Sequence, residues 1–170
     1  MKTGIAVAFC CGALCALPAF SQAPASGTDQ QFIDTAAQID MTEAHIGQMA
    51  QDQGGTQGVK DFGQMLVTDH TADYNTLTAA ATKAGATVPK GIDKEHDRMI
   101  APLEKLKAAA FDRKFVHAMV AGHEKAIAEY QREAKDGQNA DIKAYATAAL
   151  PTLQKHLQTA RDLEKGKHGA

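Results

Sequence analysis

Glu43, His70 with Asp73 one turn on, His123 and His156 are the residues whose types and spacing could carry chemistry in this sequence. Each falls in the middle of an otherwise apolar stripe of helical period, one stripe per long segment. Burying such groups unpaired is costly, so four in one core must satisfy one another or a ligand. Three imidazoles and one or two carboxylates suit one borderline divalent ion, zinc, copper, iron or nickel, in a mononuclear site. The same residues could instead form a hydrogen-bonded network of neutral histidines that holds helices in register. A stripe read one residue out of phase would turn them to solvent, and on the third stripe Gly122 competes with His123.

Four long helices are needed to position these groups. The first is expected to be capped by Thr28 or Asp29 and to run to about Asp52, with Phe32, Ala36, Ile39, Glu43, Ile46 and Ala50 along its seam. Gly54-Gly55 ends it. The second runs from about Thr56 to Ala84 along Val59, Gly63, Leu66, His70, Asp73, Leu77, Ala80 and Ala84, and stops at Gly85. The third spans about Phe111 to Lys135 along Val116, Met119, His123, Ala126 and Tyr130. The fourth follows the Asp136–Asn139 turn to about Leu163, along Ile142, Ala146, Ala149, Leu153, His156, Ala160 and Leu163. Pro151 inside it predicts a kink or local rearrangement. Between the second and third, Asp93 caps a shorter helix that is expected to reach about Ala108 and to bend or break at Pro102. At roughly 1.5 Å per residue from the turns, Glu43 and His70 differ in level by about 6 Å, as do His123 and His156. Long side chains and helix tilt absorb part of that.

The remaining histidines are read as surface residues. His45 lies about 200° round from Glu43, His96 is on the crossover, His117 is off its stripe and His168 is in the tail. Met41, Met49, Met65, Met99 and Met119 are scattered and read as core filler rather than a copper-binding set. Serine occurs only as Ser21 and Ser26, before the folded domain, which excludes a serine triad. No glycine-rich loop follows a strand, so no phosphate cradle is expected.

The N-terminus reads as a secretory signal. Lys2 supplies its charge, Ile5 to Phe20 is apolar and uncharged, and Ala19-Phe20-Ser21 places small residues for cleavage after Ser21. Cys10, Cys11 and Cys15 all fall within it, so the exported chain is expected to hold no disulfide or thiolate. Leu14 before Cys15 argues against lipid attachment. Without Lys2 the 18 basic residues become 17 against 20 acidic ones, a net charge of −3. No basic, aromatic-interleaved patch suggests nucleic acid, and no second apolar stretch suggests a membrane span.

Met65–His70 (MLVTDH), residues 117–125 (HAMVAGHEK) and Leu150–Leu157 (LPTLQKHL) resemble the bacterial domain of unknown function 4142. The likeness extends over about residues 30–164. It implies a ferritin-like four-helix fold and an envelope location, since members are often described as outer-membrane or secreted proteins. It brings no agreed activity. Di-iron bundles carry Glu-x-x-His on two helices and a Glu on each of the others. Here Val67 and Leu153 stand three residues before His70 and His156, and His123 stands where a bridging Glu is expected. That departure argues against a ferroxidase.

The reading is therefore an all-α, ferritin-like bundle of two antiparallel hairpins joined by a long crossover. Residues 1–21 are the signal, 22–28 a flexible leader, 29–164 the bundle and 165–170 a disordered tail. It is an exported periplasmic or envelope protein, with peripheral outer-membrane association as one form of that location and no partner identified. It is a metal binder through Glu43, His70, Asp73, His123 and His156, not an enzyme. The alternatives are a metal-free structural or interaction module and a metal-dependent oxidoreductase.

Overall fold

The computed structural model of the chain describes residues 23–166. The segment read as a signal, and His168, lie outside the described residues. Five helices follow in order: α1 Gly27–Gln53, α2 Gln57–Lys83, α3 Lys94–Glu104, α4 Ala108–Asp136 and α5 Ala140–Glu164. Among the described residues there is no strand, and no helix is long and apolar enough to cross a membrane.

The ends of the helices follow local chemistry, with instructive departures. Ser26, not Thr28 or Asp29, caps α1. Its Oγ accepts the Asp29 N–H at 3.2 Å while its own N–H donates to Asp29 Oδ2 at 2.6 Å, a reciprocal box that satisfies two orphan donors. Residues just before the helix are held rather than loose. The Ala25 N–H donates to the Ala84 carbonyl at 2.9 Å, and Asn139 Nδ2 donates to the Ala23 carbonyl at 2.7 Å. Asp29 Oδ1 also accepts the Gln138 N–H at 2.8 Å, tying the start of α1 to the α4–α5 turn. Thr56, Asp93 and Asn139 cap α2, α3 and α5 with their side chains.

Both prolines lie inside their helices. Helix α3 ends at Glu104, two residues after Pro102, instead of reaching Ala108. Ala108 begins α4 with a φ of 47°, in the left-handed region. Helix α5 runs unbroken through Pro151. Pro151 and Thr147, whose carbonyl the proline leaves without a helical donor, are both exposed residues.

Helix α1 packs chiefly on α2 and α4 chiefly on α5, with further contact of α2 on α5 and α1 on α4; α3 lies against α1 and α4. The apolar side chains form two clusters. One gathers Phe32, Ile33, Leu77, Tyr130, Ile142 and Leu153. The other gathers Ile46, Phe62, Leu66, Phe111, Phe115 and Met119. Asp40, Glu43, His70, His123 and His156, all buried, form a layer between them.

The level of that layer is set by a close crossing of α1 and α2. A Cβ on Gly47 would stand 2.7 Å from the Gly63 carbonyl oxygen, and one on Gly63 would stand 2.5 Å from that of Gly47. Only hydrogen fits at both positions, which lets the two backbones come near enough for Glu43 to meet His70. Gly63→Ala should push the helices apart and lower stability by about 1–3 kcal/mol, as overpacking does. A urea titration showing an unchanged midpoint would contradict this account of the crossing.

Candidate metal centre

Each of the four long helices sends a titratable side chain into the polar layer, α1 sending Asp40 as well as Glu43, and Glu43, His70, His123 and His156 meet. His123 and His156 are fully buried; His70 and Glu43 are nearly so. Glu43 Oε2 lies 3.0 Å from His70 Nε2 and 3.2 Å from His123 Nε2. The ring centroids of His156 are 5.2 Å from those of both His70 and His123. One nitrogen from each of the three imidazoles lies within 4.8 Å of the others.

What the outer nitrogens do fixes what the inner ones offer. His123 Nδ1 stands 2.9 Å from the Met119 carbonyl, which can only accept, so Nδ1 carries the proton. His70 Nδ1 donates to Asp40 Oδ1 at 2.9 Å, and His156 Nε2 donates to Asp69 Oδ2 at 2.9 Å. Glu43 Oε2 faces His70 Nε2 and His123 Nε2 at 3.0 and 3.2 Å without hydrogen-bond alignment, and His156 Nδ1 is buried with no partner. Carboxylate or carbonyl behind imidazole, with the free nitrogen forward, is the outer shell that metal-binding histidines use. Donors about 2.0–2.1 Å from a four-coordinate ion lie about 3.3 Å apart. The Glu43 oxygen already stands near that spacing from two of the nitrogens.

Asp73 is not part of this group. One turn beyond His70, its Oδ2 accepts the Tyr145 hydroxyl at 2.6 Å, and that hydroxyl is 3.1 Å from Tyr130's. The competitor at the third position, Gly122, is half-buried beside the Glu43 carboxylate, while His123 occupies the core. His45 and His117 are exposed, and His96 is half-buried with Nδ1 2.8 Å from Asp93. Asp40 and Asp69 had no assigned role in the sequence reading. Asp40 lies three residues before Glu43, on the α2 side of α1, and was hidden by tracing a single stripe through Ile39. Asp69 immediately precedes His70; its signal was an acidic residue at the edge of a buried stripe.

Charge in the layer is divided unevenly. Burial works to raise the Glu43 carboxyl, but His123 and His70 outweigh it and hold it down at about 2. Burial works to lower His70, but the Glu43 charge and the bond to Asp40 lift it to about 10. Burial raises Asp40 to about 7 against its bond to His70; its Oδ2 is unpartnered and can carry the proton. Burial, with the charges of His70 and His123, lowers His156 to about 4 in spite of Asp69. Two openings flank the layer. A groove of about 890 Å³ between α1 and α4 reaches Glu43, and a cleft of about 200 Å³ between α2 and α5 reaches His70 and His156.

Fold and site together define a helical bundle with a buried three-histidine, one-glutamate layer. The chain belongs to the family described as Domain of unknown function (DUF4142), whose model matches residues 15–163. Its fold is similar to a crystal structure of a DUF305 fragment from Deinococcus radiodurans, at a TM-score of 0.72 and 16% identity over 84% of this chain and 99% of that one. It is likewise similar to CopM in an Ag-bound form (TM-score 0.66, 15% identity, 83% and 98% covered). A Cu(II)-bound form of CopM aligns at a TM-score of 0.67 and 16% identity, over 81% and 96%. No curated protein matches the chain in sequence.

The folded protein binds a proton at His156 more weakly than an unfolded histidine does. Its contribution to stability is therefore complete above about 6.5 and is lost as pH falls toward about 4. Long-range ¹H–¹⁵N NMR of the metal-free protein at pH 6 should show His156 as the neutral Nε2–H tautomer. A doubly protonated ring at that pH would overturn this assignment.

Proposed function

We propose that the protein is an exported, envelope-located, ferritin-like bundle that binds one divalent transition metal in its core and does not itself catalyse a reaction. The observation that carries the reading is the convergence of four buried side-chain atoms able to bind an ion, Glu43 Oε2, His70 Nε2, His123 Nε2 and His156 Nδ1, each from a different helix. The Met119 carbonyl and Asp69 leave the His123 Nε2 and His156 Nδ1 lone pairs forward, while His70 Nε2 faces Glu43 at 3.0 Å and would have to give up its proton to an incoming ion. Bound there, an ion would cross-link all four long helices.

The packing supports the finer arrangement, two antiparallel hairpins (α1–α2 and α4–α5) joined through α3. Ala25 meets Ala84 in one hairpin, and Tyr130 meets Tyr145 in the other. Nitrogen and oxygen donors suit zinc, copper, iron or nickel, and among these copper(II) is bound most tightly by a given site. The Cu(II)-bound form of CopM, a protein of similar fold, points the same way. A second reading has its own observation: His70 lies between Asp40 and Glu43, so a protonated ring can hold the layer together without an ion.

Isothermal titration with Cu²⁺ or Zn²⁺ of protein purified without a nickel column should give one site per chain. At a free ion concentration of 100 Kd the stabilisation is about 2.7 kcal/mol, read as a rise in melting temperature. His123→Ala and Glu43→Gln should abolish that rise. Unchanged melting under zinc, copper, nickel and iron alike would leave the metal-free network as the account of the site.

The envelope location rests on the N-terminal pattern. Edman sequencing of the protein from an envelope fraction should begin at Gln22, after cleavage at Ser21. Recovery of the chain with Met1 from the cytosol would overturn it.

A further inference from the structure

The layer is reached from two sides, and the two approaches end on different atoms. The cleft between α2 and α5 carries two carboxylates, and both are engaged: Asp69 accepts from His156 Nε2 and Asp73 from the Tyr145 hydroxyl. That cleft ends on the buried rings of His70 and His156. The groove between α1 and α4 carries five carboxylates, Glu43, Glu95, Glu129, Glu133 and Asp136, against Lys125 and Arg132. Arg132 is paired with Glu129, and burial together with the neighbouring Asp29 raises the Glu133 carboxyl to about 7. Setting those three aside leaves Glu43, Glu95 and Asp136 against Lys125, so the groove stays acidic.

Glu43 stands at the inner end of the groove, and the residue opposite it is Gly122. Glu43 Oε2 faces His70 and His123, while Oε1 is the atom that a Cβ on Gly122 would meet, at 3.4 Å. The carboxylate therefore bridges groove and layer, with one oxygen toward each. Gly122 is half-buried in the middle of α4, where glycine is a poor helix former. At Gly47 and Gly63 the closeness of two backbones explains the missing side chain. At Gly122 no backbone of another helix among the described residues comes within 4 Å of the added Cβ; only the Glu43 oxygen does.

We propose that a divalent cation enters through the α1–α4 groove and is taken first by Glu43 Oε1, with Gly122 as the aperture that leaves this oxygen uncovered. The proposal rests on the metal-binding reading above and adds an order to it, carboxylate first and imidazoles second. Carboxylates lining a cleft raise the local concentration of a cation, and such focusing changes association rates by about 10–10³-fold. The terminal torsion of a glutamate is broad and roughly two-fold. The Glu43 carboxylate can therefore turn and pass an ion from the groove to the nitrogens while α1 stays in place.

The test is stopped-flow binding of Co²⁺ to the full exported chain at low ionic strength, followed by the visible absorption of the bound ion. Lys125 and Thr35 line the groove from exposed positions, and Thr152 lines the cleft from one. Lys125→Glu should speed association roughly threefold and Thr35→Lys should slow it by a similar factor, both effects shrinking in high salt. Thr152→Lys should leave the wild-type rate unchanged. Gly122→Val lays a branched side chain over Glu43 Oε1. It should lower the association and dissociation rates together by about tenfold, with the Co²⁺ spectrum and the equilibrium affinity kept. Wild-type rates in both Lys125→Glu and Thr35→Lys overturn the route while the metal site stands, and slowing by Thr152→Lys would assign entry to the cleft. A wild-type association rate in Gly122→Val overturns the aperture. Absence of Co²⁺ binding in the wild-type protein overturns the route and the metal-binding reading together.

Discussion

Burying charge in the middle of a helical bundle is the constraint on which the rest of this structure depends. Between two apolar clusters lies one layer containing Asp40, Glu43, His70, His123 and His156, all removed from water. No leucine-like packing can compensate an isolated ion there, so the layer must be neutralised from within or by a ligand. It is only partly neutralised from within. His70 shares its two nitrogens between Asp40 and Glu43, but His156 Nδ1 is left without a partner.

Positioning this layer takes very little. The glycine crossing of α1 and α2 brings Glu43 to His70, and the antiparallel course of α4 and α5 brings His123 to His156. The acceptors behind the rings come from the same helices or their immediate neighbours: Met119 one turn before His123, Asp69 beside His70, Asp40 one turn before Glu43. The tautomer of His123 is therefore built into its own helix, whereas those of His70 and His156 are set only when α2 packs on α1 and α5 packs on α2.

Much of this was legible because helical periodicity is a strong signal. Every residue assigned to the third stripe, Val116 to Tyr130, is buried, and His70, His123, His156 and Glu43 share the core. The expected level mismatch of about 6 Å is absorbed: Glu43 and His70 touch at 3.0 Å. What escaped was whatever lay off a single stripe. Helix α1 packs against α2, α3 and α4, so it buries a band wide enough to include Asp40, which a narrow seam omits. Asp73 stood on its stripe but turned to a tyrosine of the adjoining helix, a choice that depends on a partner 72 residues away in sequence. The ends of α1 and α3 escaped for the opposite reason, being set by particular hydrogen bonds and by a residue at positive φ rather than by pattern.

The fastening of residues 23–29 has a practical side. Ser26, Asp29 and Asn139 knit the beginning of the first helix to the turn between the last two, at the end of the bundle remote from the glycine crossing. A recombinant fragment started at the first obviously helical residues would discard Ser26 and the Ala23 carbonyl together. It would open both hairpins at one end and leave Asn139 searching for an acceptor. Any shortened version of this protein should keep every residue from Gln22 onward, and a fusion partner belongs upstream of that point.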